Sequence, residues 1–218
     1  MTCPILRYHP AIVAQAAATL ACLAPRRAFL GIGTGEALNE YSATGLWPAY
    51  KTRQARMIEA IELIRALWSG EAVTHHGAYY ETRKAKLYTR SEHAVPLYIS
   101  AMVPNSARVA GKYGDGLITV GGETAETYRQ MLENFDAGAK EADKDPDNMP
   151  RMIELAADFT DDETKAIAAR KNYWAGVFIP ALFTEKFIRP RCPKKTARES
   201  APTRYDSQSV FPPIPTFT

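Results

Sequence analysis

Glu36 has the type and setting for proton chemistry. It lies in "FLGIGTGEALNE", Phe29 to Glu40, where an apolar run gives way to a glycine-rich turn with an acid inside it. A carboxylate in a partly dry pocket has a raised proton affinity and can exchange a proton near neutral pH. The same residue could instead cap the next helix or pair with a basic neighbour. Gly31, Gly33 and Gly35 alternate through the stretch. They could let a flat cofactor approach the backbone, or serve only a tight turn. They do not form the dinucleotide fingerprint, because Leu38 occupies the final glycine position of GxGxxG, and the lysine of a phosphate-binding loop is missing too.

Other chemistries find less support. His75 and His76 are adjacent and do not converge easily on one ion, while His9 and His93 are isolated, so no metal site is expected. Asp115, in "GKYGDG", suits a turn that it holds through its own backbone. Trp47, Tyr79, Tyr80 and Trp174 could line a pocket or simply pack. There is no GxSxG elbow and no cysteine paired with a histidine, so serine and thiol hydrolysis are unsupported.

The elements that must carry Glu36 follow from periodicity. A helix over "HPAIVAQAAATLACLAP" starts with Pro10 in its first turn and stops before Pro25; it is apolar nearly all round and should bury a broad face. Strand cores fall near Phe29, Leu97, Ile118 and Ile153. Lys51 to Ser69 is an amphipathic helix stopped by Gly70. Further helices begin near Asn105, at Thr124 as a cap, and near Asp161. "EAVTHHGAYYETRKAKLY" reads as a small hairpin or an extended excursion. Helix followed by four strand–helix rounds demands a parallel sheet with right-handed crossovers. Glycine-rich or polar residues follow the first three strands, at the ends where α/β folds place their chemistry.

The 218 residues, 46% of them apolar, suffice for one full-sized core. Residues 1–180 form the expected α/β domain and residues 181–218 an irregular, basic, proline-rich tail. Much of the net charge of +3 is local: Thr184 to Asp206 holds seven basic residues against three acids. No nucleic-acid signature accompanies them, and a solvated terminus is the simpler reading. No stretch approaches a membrane span and no signal peptide is visible. The odd cysteine count of three fits a reducing compartment, and a cytoplasmic location is expected.

"RYHPAIVAQAAATLACLAPRRAFLGIGTGEALNE", with "LIRALWSGE", "GAYYETRKAKLY", "VPLYISA" and "AGKYGDGLIT", resembles the coenzyme F420-dependent branch of the bacterial-luciferase-like flavin enzymes, nearest its glucose-6-phosphate dehydrogenases. The likeness covers roughly residues 1–180. It implies a (β/α)8 TIM barrel of which about strands 4–7 are present: the chain begins at the end of the family's third strand and ends before the eighth, so it is N- and C-terminally truncated relative to the family. It implies an oxidoreductase that moves a hydride between F420 and an alcohol or carbonyl-type small molecule. Glu36 would be the acid beside the hydride step. Cys3, Thr34, Gly35, Glu36, Asn39, Met102, Val103 and Pro104 would contact the cofactor. The alternatives are an FMN-dependent monooxygenase of the same superfamily and an inactive fragment acting as an interaction protein. A homodimer is among the assemblies the resemblance allows; no nucleic acid or membrane partner is expected. Val103 replaces the family's glycine, so its Cβ could crowd the cofactor tail. Glu123 replaces the lysine with which sugar-phosphate enzymes hold phosphate, which speaks against glucose 6-phosphate.

Overall fold

The computed structural model describes residues 3–121, 124–155, 157 and 159–173, with the side chains of Cys3, Pro4 and residues 170–173 outside the description. The chain divides into Met1–Ile188 and Arg189–Thr218; the expected tail and Glu123 lie outside the described residues.

A parallel sheet is the frame. Its strands are β1 (Cys3–Pro4), β2 (Leu30–Gly33), β5 (Leu97–Ser100), β6 (Gly116–Val120) and β7 (Arg151–Glu154), ordered β1-β2-β5-β6-β7. Every neighbouring pair is parallel. Parallel neighbours need long crossovers, and helices supply them: α1 (Pro10–Leu23) joins β1 to β2, α4 (Pro104–Tyr113) joins β5 to β6, and α5 (Ala125–Lys140), followed by a 3₁₀ turn at Pro146–Asn148, joins β6 to β7. The β2-to-β5 crossover is longest. It holds α2 (Ala37–Thr44), α3 (Tyr50–Trp68) and an antiparallel hairpin of β3 (Val73–His76) and β4 (Glu81–Ala85). α6 (Glu163–Tyr173) follows β7. This is the expected α/β architecture, with five parallel strands and helical crossovers among the described residues.

All four expected strands are present. β1 is an addition, because two residues carry no readable period. Its register, Cys3 opposite Ile32 and Pro4 opposite Gly33, sets the segment after it beside the glycine turn. The excursion at 73–85 is the hairpin. Thr124 caps α5, its hydroxyl accepting the Thr127 N–H at 3.1 Å. Pro10 opens α1, where the His9 ring Nδ1 accepts from Ala11 N–H.

The core lies between the sheet and its helices. Leu30 and Ile32 of β2 and Leu97 and Ile99 of β5 meet Met57, Ile61, Ile64 and Leu67 of α3 and Val13, Ala14 and Ala17 of α1. Burying side chains of this size contributes about 1.5–3 kcal/mol each before conformational entropy is subtracted. The expectation that α1 buries a broad face needs correction. Ile12, Leu20 and Leu23 stand exposed, because α3 and the sheet cover one side of the helix.

Candidate active site

The C-terminal ends of β1, β2 and β5 lie side by side, since β2 pairs with both of the others. Adjacent parallel strands are about 4.8 Å apart. Cys3 on β1, the Thr34–Asn39 turn after β2 and the Met102–Pro104 loop after β5 are therefore carried by three neighbouring strand ends. Every residue singled out for cofactor contact belongs to this one stretch of rim.

The turn is shaped locally. Gly33 ends β2, Thr34 is half-buried, and Gly35 has a left-handed φ of +81°, which side chains rarely tolerate. Glu36 is the residue before α2 but does not cap it: its carboxylate accepts no helix N–H. Instead Asn39 Nδ2 donates to Glu36 Oε2 at 3.0 Å. The two residues expected to serve acid–base work and cofactor contact are thus brought together, one turn apart. The partly dry pocket expected around Glu36 is not formed by the described residues. Its side chain is exposed.

After β5, Met102 and Val103 are exposed and Pro104 opens α4. Val103 is extended, with φ −142° and ψ 155°, so its backbone does not require the family's glycine. Its amide donates to Ser106 Oγ at 3.3 Å, and that hydroxyl donates to the Val103 carbonyl at 2.9 Å. The side chain of Cys3 lies outside the description.

Two acids that the sequence did not single out are the best held. Glu40 is 2% exposed and accepts a forked pair from Arg7, Nε at 2.9 Å and Nη2 at 2.8 Å. Glu59, on α3, accepts from the amides of Ala78, Tyr79 and Tyr80 and meets His75 Nε2 at 3.2 Å. Burial pushes its pKa up, but the His75 hydrogen bond, the Tyr80 and Tyr79 amides and the His75 charge outweigh that and leave it below the usual value. No sequence pattern marks either acid, since partners for both come from other elements.

The remaining candidates are structural. Asp115 Oδ2 accepts the Leu97 N–H and Oδ1 accepts from Arg65, so its carboxylate ties the turn to β5 and α3 rather than, as expected, to the turn's own backbone. Lys144 Nζ donates to the carbonyls of Lys112 and Gly114, closing the end of α4. Burial lowers its pKa, Arg65 adds to the effect, and Asp115 opposes it. His75 and His76 are engaged separately, by Glu59 and Glu81. Trp47 lies under the Arg53 guanidinium at 3.7 Å, Tyr80 is buried, and Trp174 lies outside the described residues. An open cleft of about 580 Å³, lined by Arg65, Trp68, Arg90, His93 and Asp115 among others, is at the opposite end of the sheet. That end supports the fold in barrels of this kind. Among the described residues no helix is long and apolar enough to cross a membrane.

Both the sequence and the fold have known relatives. The luciferase-like monooxygenase family profile matches residues 1–211. An F420-dependent glucose-6-phosphate dehydrogenase from Beutenbergia cavernae is 45% identical over 173 residues, 79% of this chain and 52% of that protein. An F420-dependent hydroxymycolic acid dehydrogenase from Mycobacterium tuberculosis is 47% identical over 169 residues, 78% of this chain and 46% of that protein. A solved F420-dependent secondary alcohol dehydrogenase, in complex with an F420–acetone adduct, superimposes with a TM-score of 0.81 at 42% identity, over 88% of this chain and 58% of that one. The chain spans about half the length of the curated relatives it matches.

Proposed function

The chain belongs to the luciferase-like monooxygenase family, and on that premise we propose that it serves an F420-dependent oxidoreductase, moving a hydride between the deazaflavin and the carbon of a small alcohol or carbonyl substrate. One observation carries the proposal. The Gly33–Glu36 turn, with Asn39 on the carboxylate, stands at a strand end flanked by the two other strand ends expected to meet the cofactor. Relatives at 42–47% identity are F420-dependent dehydrogenases.

The residues present fit a flat ring. The rim offers half-buried, side-chain-free backbone at Gly35, an exposed carboxylate at Glu36 and an exposed apolar wall at Met102. Thr34, Gly35 and Asn39, together with Cys3, Met102, Val103 and Pro104, would hold the cofactor. F420, when bound, supplies the carbon that accepts or returns the hydride. The chain's own part is the proton. As an alcohol carbon gives up hydrogen with its electron pair, the hydroxyl proton must leave and the C–O bond become a carbonyl. Glu36 Oε1 takes that proton, while the Asn39 amide on Oε2 holds the carboxylate in one orientation. Ring and substrate together would cover Glu36 and exclude water from it.

An alcohol is preferred to a sugar phosphate as substrate, because by resemblance Glu123 occupies the sequence position at which the sugar-phosphate enzymes carry a phosphate-binding lysine. The experiment is to incubate the purified chain with F420 or with FMN, remove free ligand, and record bound-ligand absorbance. Loss of the oxidised deazaflavin signal on adding isopropanol is then followed. Retention of F420 and its reduction are expected. Retention of FMN with oxygen consumption, or of neither ligand, would overturn the reading.

A further inference from the structure

We infer that Glu40, through Arg7, is a positioning residue for the Gly35–Glu36 turn, an inference that rests on the proposed use of that turn in F420 chemistry. Glu40 is a carboxylate with 2% exposure at a rim that is otherwise open. A buried charge is costly unless paired, and the pairing here is a two-pronged fork from Arg7. Arg7 follows β1 and Glu40 lies in the first turn of α2, the helix that follows β2, so the pair ties together the segments leaving two adjacent strands.

The turn is moulded on Glu40. A Cβ added to Gly35 would lie 2.5 Å from Glu40 Cγ, 3.0 Å from Cδ and 3.3 Å from Oε1. Glycine is required there twice, by its left-handed φ and by this contact. The Glu36 carbonyl accepts the Glu40 N–H at 2.8 Å. Glu36 is therefore fixed to Glu40 by its backbone, while its carboxylate is engaged by Asn39 on the exposed side. The reactive carboxylate is aimed outward because the buried one beneath it is held.

The other end of the clamp is anchored as well. Ile5 and Leu6, just before Arg7, are buried. The Ile5 carbonyl accepts the Tyr80 hydroxyl at 3.1 Å, and Arg56 Nε donates to that hydroxyl at 2.9 Å. The His9 ring meets Tyr80 edge-on, centroids 5.4 Å apart. A continuous set of contacts thus runs from α3 and the hairpin through the post-β1 segment and Arg7 to Glu40 and the turn. Functional groups need this kind of support to stay within a fraction of an ångström of a working geometry.

The test uses Glu40→Gln, which keeps the shape and removes the charge, and Arg7→Lys, which keeps the charge and removes the fork. Hydrogen–deuterium exchange is measured on the chain without cofactor, and F420 affinity by fluorescence titration. In Glu40→Gln, faster exchange confined to residues 33–41 and 5–9 is expected, with F420 binding weakened about tenfold; Arg7→Lys should fall between it and the parent. Unchanged exchange at 33–41 in a folded variant would overturn the inference, as would a loosened turn with F420 affinity within about twofold of the parent. If Glu40→Gln does not fold, the same two readouts on Arg7→Lys decide. If the parent chain itself fails to bind F420, the proposed function falls, and the exchange arm still decides whether the pair holds the turn.

Discussion

Three glutamates within one half of the chain have three different tasks, and the partners of each explain the difference. Glu36 meets one side-chain amide and solvent, Glu40 a guanidinium fork, and Glu59 three backbone amides and an imidazole. Replacing Glu36 by Gln removes the proton acceptor and leaves the turn's backbone intact. The turnover number should fall about 10²–10⁴-fold, the usual worth of positioned acid–base catalysis, with F420 affinity nearly unchanged; steady-state rates beside a binding titration check this. Glu59 predicts a pH dependence of stability. Its folded pKa lies below the ordinary 4.5, so folding favours the charged form. The contribution is complete above the unfolded value and is lost as pH falls from there through the folded value. Glu59→Gln should therefore cost about 1–3 kcal/mol near neutral pH. The gap between variant and parent should close as acid is added below 4.5. Urea melts of both proteins across that range provide the measurement.

At the scale of elements, close backbone approach and loop shape are the sensitive points. α4 and α5 pack through Gly111 and Gly138: a Cβ on Gly138 would strike the Arg108 carbonyl, and one on Gly111 the Phe135 carbonyl. Both obstacles are rigid backbone. Gly138→Ala should destabilise the fold by about 1–3 kcal/mol, read in a urea melt. Val103 precedes α4 with an extended backbone that any residue can adopt. Val103→Gly should therefore clear space beside the cofactor tail and tighten F420 binding by about threefold to tenfold, measured by titration. Elements of this length were legible in the sequence because their periods are strong. Pro10, Gly70 and Thr124 bound helices where their chemistry requires. β1 was not legible, since two residues have no period and gain strand character from Ile32 and Gly33 opposite them. The Thr34–Asn39 turn could be placed at a strand end from glycine spacing. The Arg7–Glu40 fork could not, because its members are 33 residues apart and meet only when β1 and β2 pair. The exposure of Glu36 also escaped the sequence, which shows a strand end but not how much of the rim stands around it.

For the molecule as a whole, the sheet separates two ends. The C-terminal end gathers the glycine turn, Glu36, Asn39 and the 102–104 loop. The opposite end holds Asp115 with Arg65 and Leu97, Lys144 on the α4 carbonyls, and the 580 Å³ cleft beside them. Polar groups at that second end fix strand and helix termini, whereas at the first end Glu36 and Asn39 face outward over a Glu40 held by Arg7. A ligand that binds only the folded chain raises its stability by about 2.7 kcal/mol at a hundredfold excess over Kd, so F420 should raise the melting temperature by several degrees. Paired titrations of F420 onto the parent chain and onto Gly35→Ala test the central claim most directly. The account predicts saturable binding to the parent, protection against melting, and loss of most affinity in the variant, whose added methyl would press on Glu40. Equal affinity for both proteins would contradict it, because the cofactor would then sit away from the glycine turn.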